Sequence, residues 1–388
     1  MNVPKIRFKD FNDDYIRKNL KDVFSFHRGN TLSKADLAEN GNNKCILYGE
    51  LYTKYSAIAN TIYSRTNNNN KNLVYGKKYD VLIPCSGETA LDISTTTCLQ
   101  DDNVIIGGDL TILRPLTDFG NYLSYYLYHK KKIEIAKYAQ GDSVVHLYAD
   151  KIKNLSLNLP TYEEQKKVSQ VLELLDKKIE LQTKKIEDLK LFKKGLFNNN
   201  IDNTKNIKLS DILTEVNIKS TINNQYEILS STANGLYLQK DYFNKQAASE
   251  NNTGYKILKR NQLVLSPQNL WMGNININDK YDIGIVSPSY KIFDIDDNII
   301  NIDFFNNWIK SPRALYDYMI SSEQGASVVR RNLNIDLFNE ITIKVPERNI
   351  QDKIGKQIKN INMKIELENR KLDKLNDLKK GLMQNMFV

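Results

Sequence analysis

The stretch of this sequence nearest to a catalytic motif is Ser287-Pro288-Ser289-Tyr290. It approaches the Ser/Asn/Asp-Pro-Pro-Tyr signature of enzymes that methylate amino groups. The second proline is missing, and so is a glycine-rich loop for a methyl donor. The plainer reading is a strand entering a turn, with proline fixing the bend. No GxxxxGK[ST] phosphate loop occurs, so ATP hydrolysis is not expected, and there is neither a His-Glu-x-x-His metal helix nor a GxSxG elbow. The three histidines (His27, His129, His146) and three cysteines (Cys45, Cys85, Cys98), with no CxxC pair, are too sparse for a zinc cluster. The acidic residues show no metal-like spacing. We therefore assign no catalytic residue and no metal ligand. The positive signal is charge: 55 Lys+Arg against 46 Asp+Glu give a net +9 and favour a polyanionic partner, of which nucleic acid is the commonest.

The elements that would position such contacts are built twice. Leu155-Ser-Leu-Asn-Leu-Pro160 matches Ile341-Thr-Ile-Lys-Val-Pro346 at a spacing of 186 residues. The same register carries Gln165 onto Gln351, Ile179-Glu180-Leu181 onto Ile365-Glu366-Leu367, and Lys193-Lys194-Gly195-Leu196 onto Lys379-Lys380-Gly381-Leu382. Upstream, Gln140-Gly141 and Ser143-Val144-Val145 match Gln324-Gly325 and Ser327-Val328-Val329 at a spacing of 184. Each copy reads as a globular part followed by a long helix.

The helices carry a heptad seam. In the first copy it runs Val168, Leu172, Leu175, Ile179, Ile186, Leu189, with Gln182 and Lys193 as polar breaks. In the second it runs Ile354, Ile358, Ile361, Ile365, Leu372, Leu375, with Glu368 and Lys379 at the matching places. Each seam is narrow and the rest of each helix is charged, so the two helices are expected to pack on each other. Thr161 with Glu164 reads as a capping box for the first. The second lacks the acidic pair seen at Glu163-Glu164. Lys193 and Lys379 read as solvated ends.

The globular parts read as mixed α/β. Val81-Leu82-Ile83, Val104-Ile105-Ile106, Leu263-Val264-Leu265 and Ile283 to Val286 are short apolar runs bounded by turn residues, hence strands. Residues 121–139 have helical character. Residues 303–309 are a shorter counterpart, broken at Pro312. The expected organisation is α+β: two tandem mixed α/β domains (1–160 and 201–346), each followed by a long helix (161–200 and 347–388), the helices forming an antiparallel coiled coil. With 388 residues and 41% hydrophobic residues the chain can bury two such cores. Free cysteines, charges where a signal peptide needs an apolar run, and no apolar stretch of roughly 18 residues fit a cytoplasmic protein.

This order of parts resembles the specificity subunit of type I restriction–modification systems, over essentially the whole chain. The resemblance rests on the duplicated coils together with Pro4-Lys5-Ile6-Arg7-Phe8, Asn158-Leu159-Pro160 through Gln165, Pro84-Cys85-Ser86-Gly87-Glu88-Thr89, Gly107-Gly108-Asp109-Leu110, Ser266-Pro267 and Val286 to Tyr290. It implies that each globular part is a target-recognition domain reading one half of a split, asymmetric double-stranded DNA site. The coils would set the distance between the halves. Two methyltransferase subunits would dock on this scaffold and motor–nuclease subunits would join them. S-adenosylmethionine, ATP and Mg²⁺ would belong to those partners, with no cofactor in this chain and no membrane contact.

Residue types suited to base edges and phosphates then mark DNA-contact candidates. In the first domain they are Arg28, Arg65, Ser86 and His146. In the second they are Gln268, Asn269, Trp271, Arg330 and Arg331. Arg330-Arg331 follows the repeated Gln-Gly-x-Ser-Val-Val segment, where a turn would push both guanidiniums outward; a solvated pair is the plain alternative. An indole such as Trp271 is more often core or partner interface, and a lone histidine such as His146 is usually structural. Two other functions stay open: a coiled-coil assembly adaptor that does not read DNA, and a nuclease or methyltransferase with a cryptic site.

Overall fold

The computed structural model describes residues 3–141, 143–198, 204–242, 251–324 and 331–388. The chain divides into two compact units, Met1–Thr183 with Arg370–Val388, and Lys184–Asn369.

The apolar runs form strands because they are buried on both sides. In the first unit a five-stranded sheet has the order Phe24–Arg28, Leu110–Pro115, Val81–Pro84, Thr97–Leu99, Ile58–Ala59. Val81 and Ile83 point into a core with Leu113, Tyr122, Tyr125 and Tyr126, whereas Leu82 joins Leu110 and Ile112 in a second core. Side chains alternate along a strand, so a sheet covered on both faces needs an unbroken apolar run. The second unit repeats the device: Leu263 and Leu265 enter one core and Val264 another. A four-stranded sheet in the first unit has the order Ser64–Thr66, Asn43–Ile46, Val104–Ile106, Tyr75–Gly76.

Both units close in the same way. Ile16–Asn19 pairs antiparallel with Ser156–Leu159, and Lys205–Lys208 pairs antiparallel with Thr342–Val345. In each case the second strand runs into a long helix. We number the main helices α1 (Gly120–Tyr126), α2 (Tyr162–Asn198), α3 (Ile302–Trp308), α4 (Pro312–Ile320) and α5 (Arg348–Met386).

Gln165 and Gln351 fix these junctions. Gln165 Oε1 accepts from the Phe119 N–H at the start of α1 (2.9 Å), and its amide donates to the Pro160 carbonyl (3.0 Å). Gln351 Oε1 accepts from the Asn301 N–H at the start of α3 (2.8 Å) and donates to the Pro346 carbonyl (2.9 Å). Both amides are buried. Each satisfies main-chain groups that two adjoining elements would otherwise leave unpaired.

The seam is the least exposed face of both long helices. Val168, Leu172, Leu175, Ile186, Ile354, Ile358 and Ile361 are buried, and Ile179, Leu189, Ile365, Leu372 and Leu375 are half-buried. In the first unit Lys379 pairs with Asp176; in the second Lys185 Nζ meets Glu368 at 2.9 Å. Residue numbers rise along α2 as they fall along α5, so the helices are antiparallel.

Three local expectations are corrected. Glu164 closes no capping box with Thr161: its carboxylate accepts from Arg7 (2.8 and 2.9 Å) and from the Tyr15 hydroxyl (3.2 Å), and a charged, bidentate guanidinium outcompetes a neutral backbone N–H. Pro312 does not end the helical region; it opens α4, where a missing N–H costs nothing, and the Ser311 hydroxyl caps Ala314 at 3.1 Å. Neither Lys193 nor Lys379 is a solvated end: both are half-buried, Lys379 beside Asp176.

Candidate nucleic-acid interface

In the first unit three of the four candidates converge on one end of the five-stranded sheet. Arg28 ends an edge strand opposite Thr111, and its exposed guanidinium reaches Asp109 at 3.4 Å. Thr111 Oγ1 lies 3.1 Å from Cys85 Sγ, next to Ser86. The short strand Ser86–Gly87 pairs with Val145–His146, which sets Ser86 Oγ 3.1 Å from His146 Nδ1. Reciprocal main-chain bonds with Gln140 (2.7 and 2.9 Å) hold His146 from its other side. The exposed Tyr148 ring runs along the imidazole, 6.2 Å between centroids and 27° from parallel. Sequence reasoning missed Tyr148; an aromatic three residues after the repeated Ser-Val-Val segment was the available signal. Arg65 stands apart, on the four-stranded sheet, donating to the Gly41 carbonyl at 3.3 Å.

The exposed guanidinium and phenol and the half-buried imidazole supply a donor and a stacking face of the kind that contacts phosphates and base edges, whereas the Ser86 hydroxyl is buried against the imidazole. The same residues are poorly set for nucleophilic catalysis. Ser86 touches an imidazole, yet among the described residues no carboxylate bonds the other ring nitrogen to orient it. Burial pushes the Cys85 and Cys98 thiols up, and Cys45 up to about 11, so none is a ready thiolate. Among the described residues no group of three or more His, Cys, Asp or Glu could hold a metal.

In the second unit the candidates occupy two places. Gln268, Asn269 and Trp271 lie in the turn between Leu263–Leu265 and Ile275–Ile277, which reverses at Gly273 in the left-handed region (φ 85°). Gln268 is exposed, and Trp271 is half-buried with its Nε1 buried and unpartnered. Arg331 stands opposite Gln324 in a hairpin. Its guanidinium is not pushed outward: it folds back to donate to the Ser322 carbonyl at 3.0 and 3.3 Å. Arg330 lies outside the described residues. Helix α4 touches both the turn and the hairpin.

The family described as the type I restriction modification DNA specificity domain matches residues 12–191. That match covers a little under half of the chain, so residues 12–191 are similar to a type I specificity domain. A Haemophilus influenzae protein named as a type I restriction enzyme specificity subunit is 31% identical over 103 residues, 26% of this chain and 24% of that protein. The match thus spans about a quarter of that relative's length. The type I restriction–modification S subunit from M. genitalium, a solved structure, aligns over 100% of this chain and 99% of its own with a TM-score of 0.65 at 16% identity. A chain from a structure on complex assembly and conformational transition of the type I system covers 97% and 98% with a TM-score of 0.51 at 10% identity. These two likenesses are of fold alone, and they cover both units. No helix among the described residues is long and apolar enough to cross a membrane.

Proposed function

We propose that the chain reads a bipartite, asymmetric DNA target, one half with each unit, and directs methylation and cleavage by partner subunits while performing no chemistry itself. The observation that carries this is the duplication. Gln165 and Gln351 anchor both units to the long helices by the same bonds, while the exposed groups around Ser86–His146 and around Trp271 differ. A shared frame with divergent surfaces suits two readers of unlike sequence on one scaffold. The antiparallel helices would set half-site spacing, as dimer geometry does in simpler repressors. Two methyltransferase subunits would dock on the frame and motor–nuclease subunits would join them. S-adenosylmethionine, ATP and Mg²⁺ would enter with those partners. Duplex extrusion of a target base demands DNA held in register, which is the part this chain would play.

The test is a domain exchange read by methylome sequencing. Replacing Met1 to Asn158 with the matching domain of a relative, in cells carrying the partner subunits, should change one half of the methylated motif and leave the other intact. A change in both halves, or in neither, defeats independent reading.

A further inference from the structure

The two units differ at the junction where one long helix ends against the other's start. In the first unit a cavity of about 530 Å³ is lined by His129, Lys130, Lys379 and Lys380, among others. Asp176 neutralises Lys379 there. The second unit has a larger cavity of about 980 Å³ at the corresponding place: its Lys193 and Lys194 match Lys379 and Lys380 in the repeat. The residue matching Asp176 is Asn362, and it lines this cavity. The carboxylate that balances the first junction is an amide in the second.

The result is concentrated positive charge. Lys190, Lys193, Lys194, Lys310, Arg313 and Lys344 all line the cavity, and among the described residues no carboxylate does. Among the described residues only Arg313 of these has an acid of its own, Asp317 at 2.9 Å. Lys310 Nζ points at two carbonyl oxygens, those of Ala233 (2.9 Å) and Gly273 (2.8 Å). Burial holds the Lys193 ammonium below its ordinary range and pulls Lys310 down to about 8. Desolvated cations without counter-charge are unfavourable on their own. They become favourable when an anion fills the space between them. The start of α4, at Ser311, Pro312 and Arg313, also faces the cavity and adds the positive end of a helix dipole.

We propose that this cavity binds a small polyphosphate anion. Its volume is that of a small-molecule site, and Trp308, Pro312 and Ile365 give it apolar walls. A duplex presents its phosphates on a convex surface, which a concave pocket of this size fits poorly. The proposal goes beyond the DNA-reading role and does not depend on it.

Calorimetric titration of the full chain with sodium tripolyphosphate at fixed ionic strength tests it. One saturable site per chain is expected. Asn362→Asp, which installs the carboxylate the other unit already carries, should weaken binding roughly tenfold or more by like-charge repulsion. Asp176→Asn should leave that site unchanged. Lys193→Met should weaken binding as well, which guards against misfolding of any one variant. Absence of saturable binding, or equal affinity in all four proteins, overturns the proposal. Competition by a random DNA duplex as potent per phosphate as tripolyphosphate would assign the cavity to a nucleic-acid backbone and overturn it too.

Discussion

Gln165 and Gln351 make the same pair of bonds in the two units, yet about three helical turns further on the units part: Asp176 balances Lys379, and Asn362 leaves Lys193 open. The contrast separates two kinds of constraint. A buried amide that completes main-chain hydrogen bonds has no substitute of other chemistry, because leaving either partner unpaired forfeits its solvation. A charge pair at a helix end can be dissolved in one copy with only a modest change in stability, which frees the position for another use. Duplicated frames thus hold at their backbone-satisfying residues and diverge at their half-exposed charges.

The first comparison is broken most sharply by removing the glutamines. Gln165→Ala would orphan the Phe119 N–H and the Pro160 carbonyl, and would also remove a 2.7 Å bond to Asp118. A loss of about 3 kcal/mol is expected. Gln351→Ala orphans the Asn301 N–H and the Pro346 carbonyl. It should cost about 2 kcal/mol. Urea unfolding of the full chain, with separate probes in each unit, measures both. Losses under about 0.5 kcal/mol would mean that water or a shifted backbone replaces the amide.

The second comparison concerns Lys310. Counting from the matched N–H groups of Phe119 and Asn301, its equivalent in the first unit is Tyr128, so the second unit has a half-buried cation where the first has a phenol. Unfolded, this lysine keeps its proton up to about pH 10.4. Folded, it releases it near 8. Between those values the unfolded chain binds more protons, so stability rises with pH there. The penalty is full below about pH 8. Because the side chain keeps some contact with solvent, relief on the order of 1–2 kcal/mol is expected. Unfolding of the second unit followed from pH 7.5 to 10.5 should show this rise in the parent chain and a flatter profile in Lys310→Met. Parallel profiles would mean that the ammonium is hydrated in solution.

How much of this was legible beforehand follows from which interactions are local. The strands at Val81 and Leu263 could be read because both sheet faces are covered, and the seam because its period belongs to one helix. The register that pairs Gln165 with Gln351 was visible, but their role was not, since Phe119 and Asn301 lie 46 and 50 residues away from them. The capping box at Thr161 failed because Arg7, 157 residues distant in sequence, outcompetes the local partner. Pro312 was misread because a proline that breaks one helix is also the best first residue of the next. Ser86 and His146 were chosen separately, and only strand pairing brings them together beside Tyr148.

The smallest effect is also the most symmetric, an exchange of the two junction residues. Asp176→Asn takes the counter-charge from Lys379 but keeps a side-chain oxygen for the Tyr125 hydroxyl, which now donates to Asp176 Oδ2 at 2.6 Å. The pair is about four-fifths shielded from solvent, so its loss should exceed that of an exposed pair and still stay near 1 kcal/mol. Asn362→Asp runs the other way. It places a carboxylate among Lys190, Lys193, Lys194 and Lys344, and should raise the stability of the second unit by roughly 0.5–1 kcal/mol in the absence of added anion. Because the sites lie in different units, the double variant should show the sum of the two changes. If Asn362→Asp destabilises instead, the lysines of the second junction are solvated outward and their charge is not concentrated. If Asp176→Asn has no effect, the first junction is held by its apolar contacts alone, and the contrast between the units lies in their electrostatic surfaces without touching their stability.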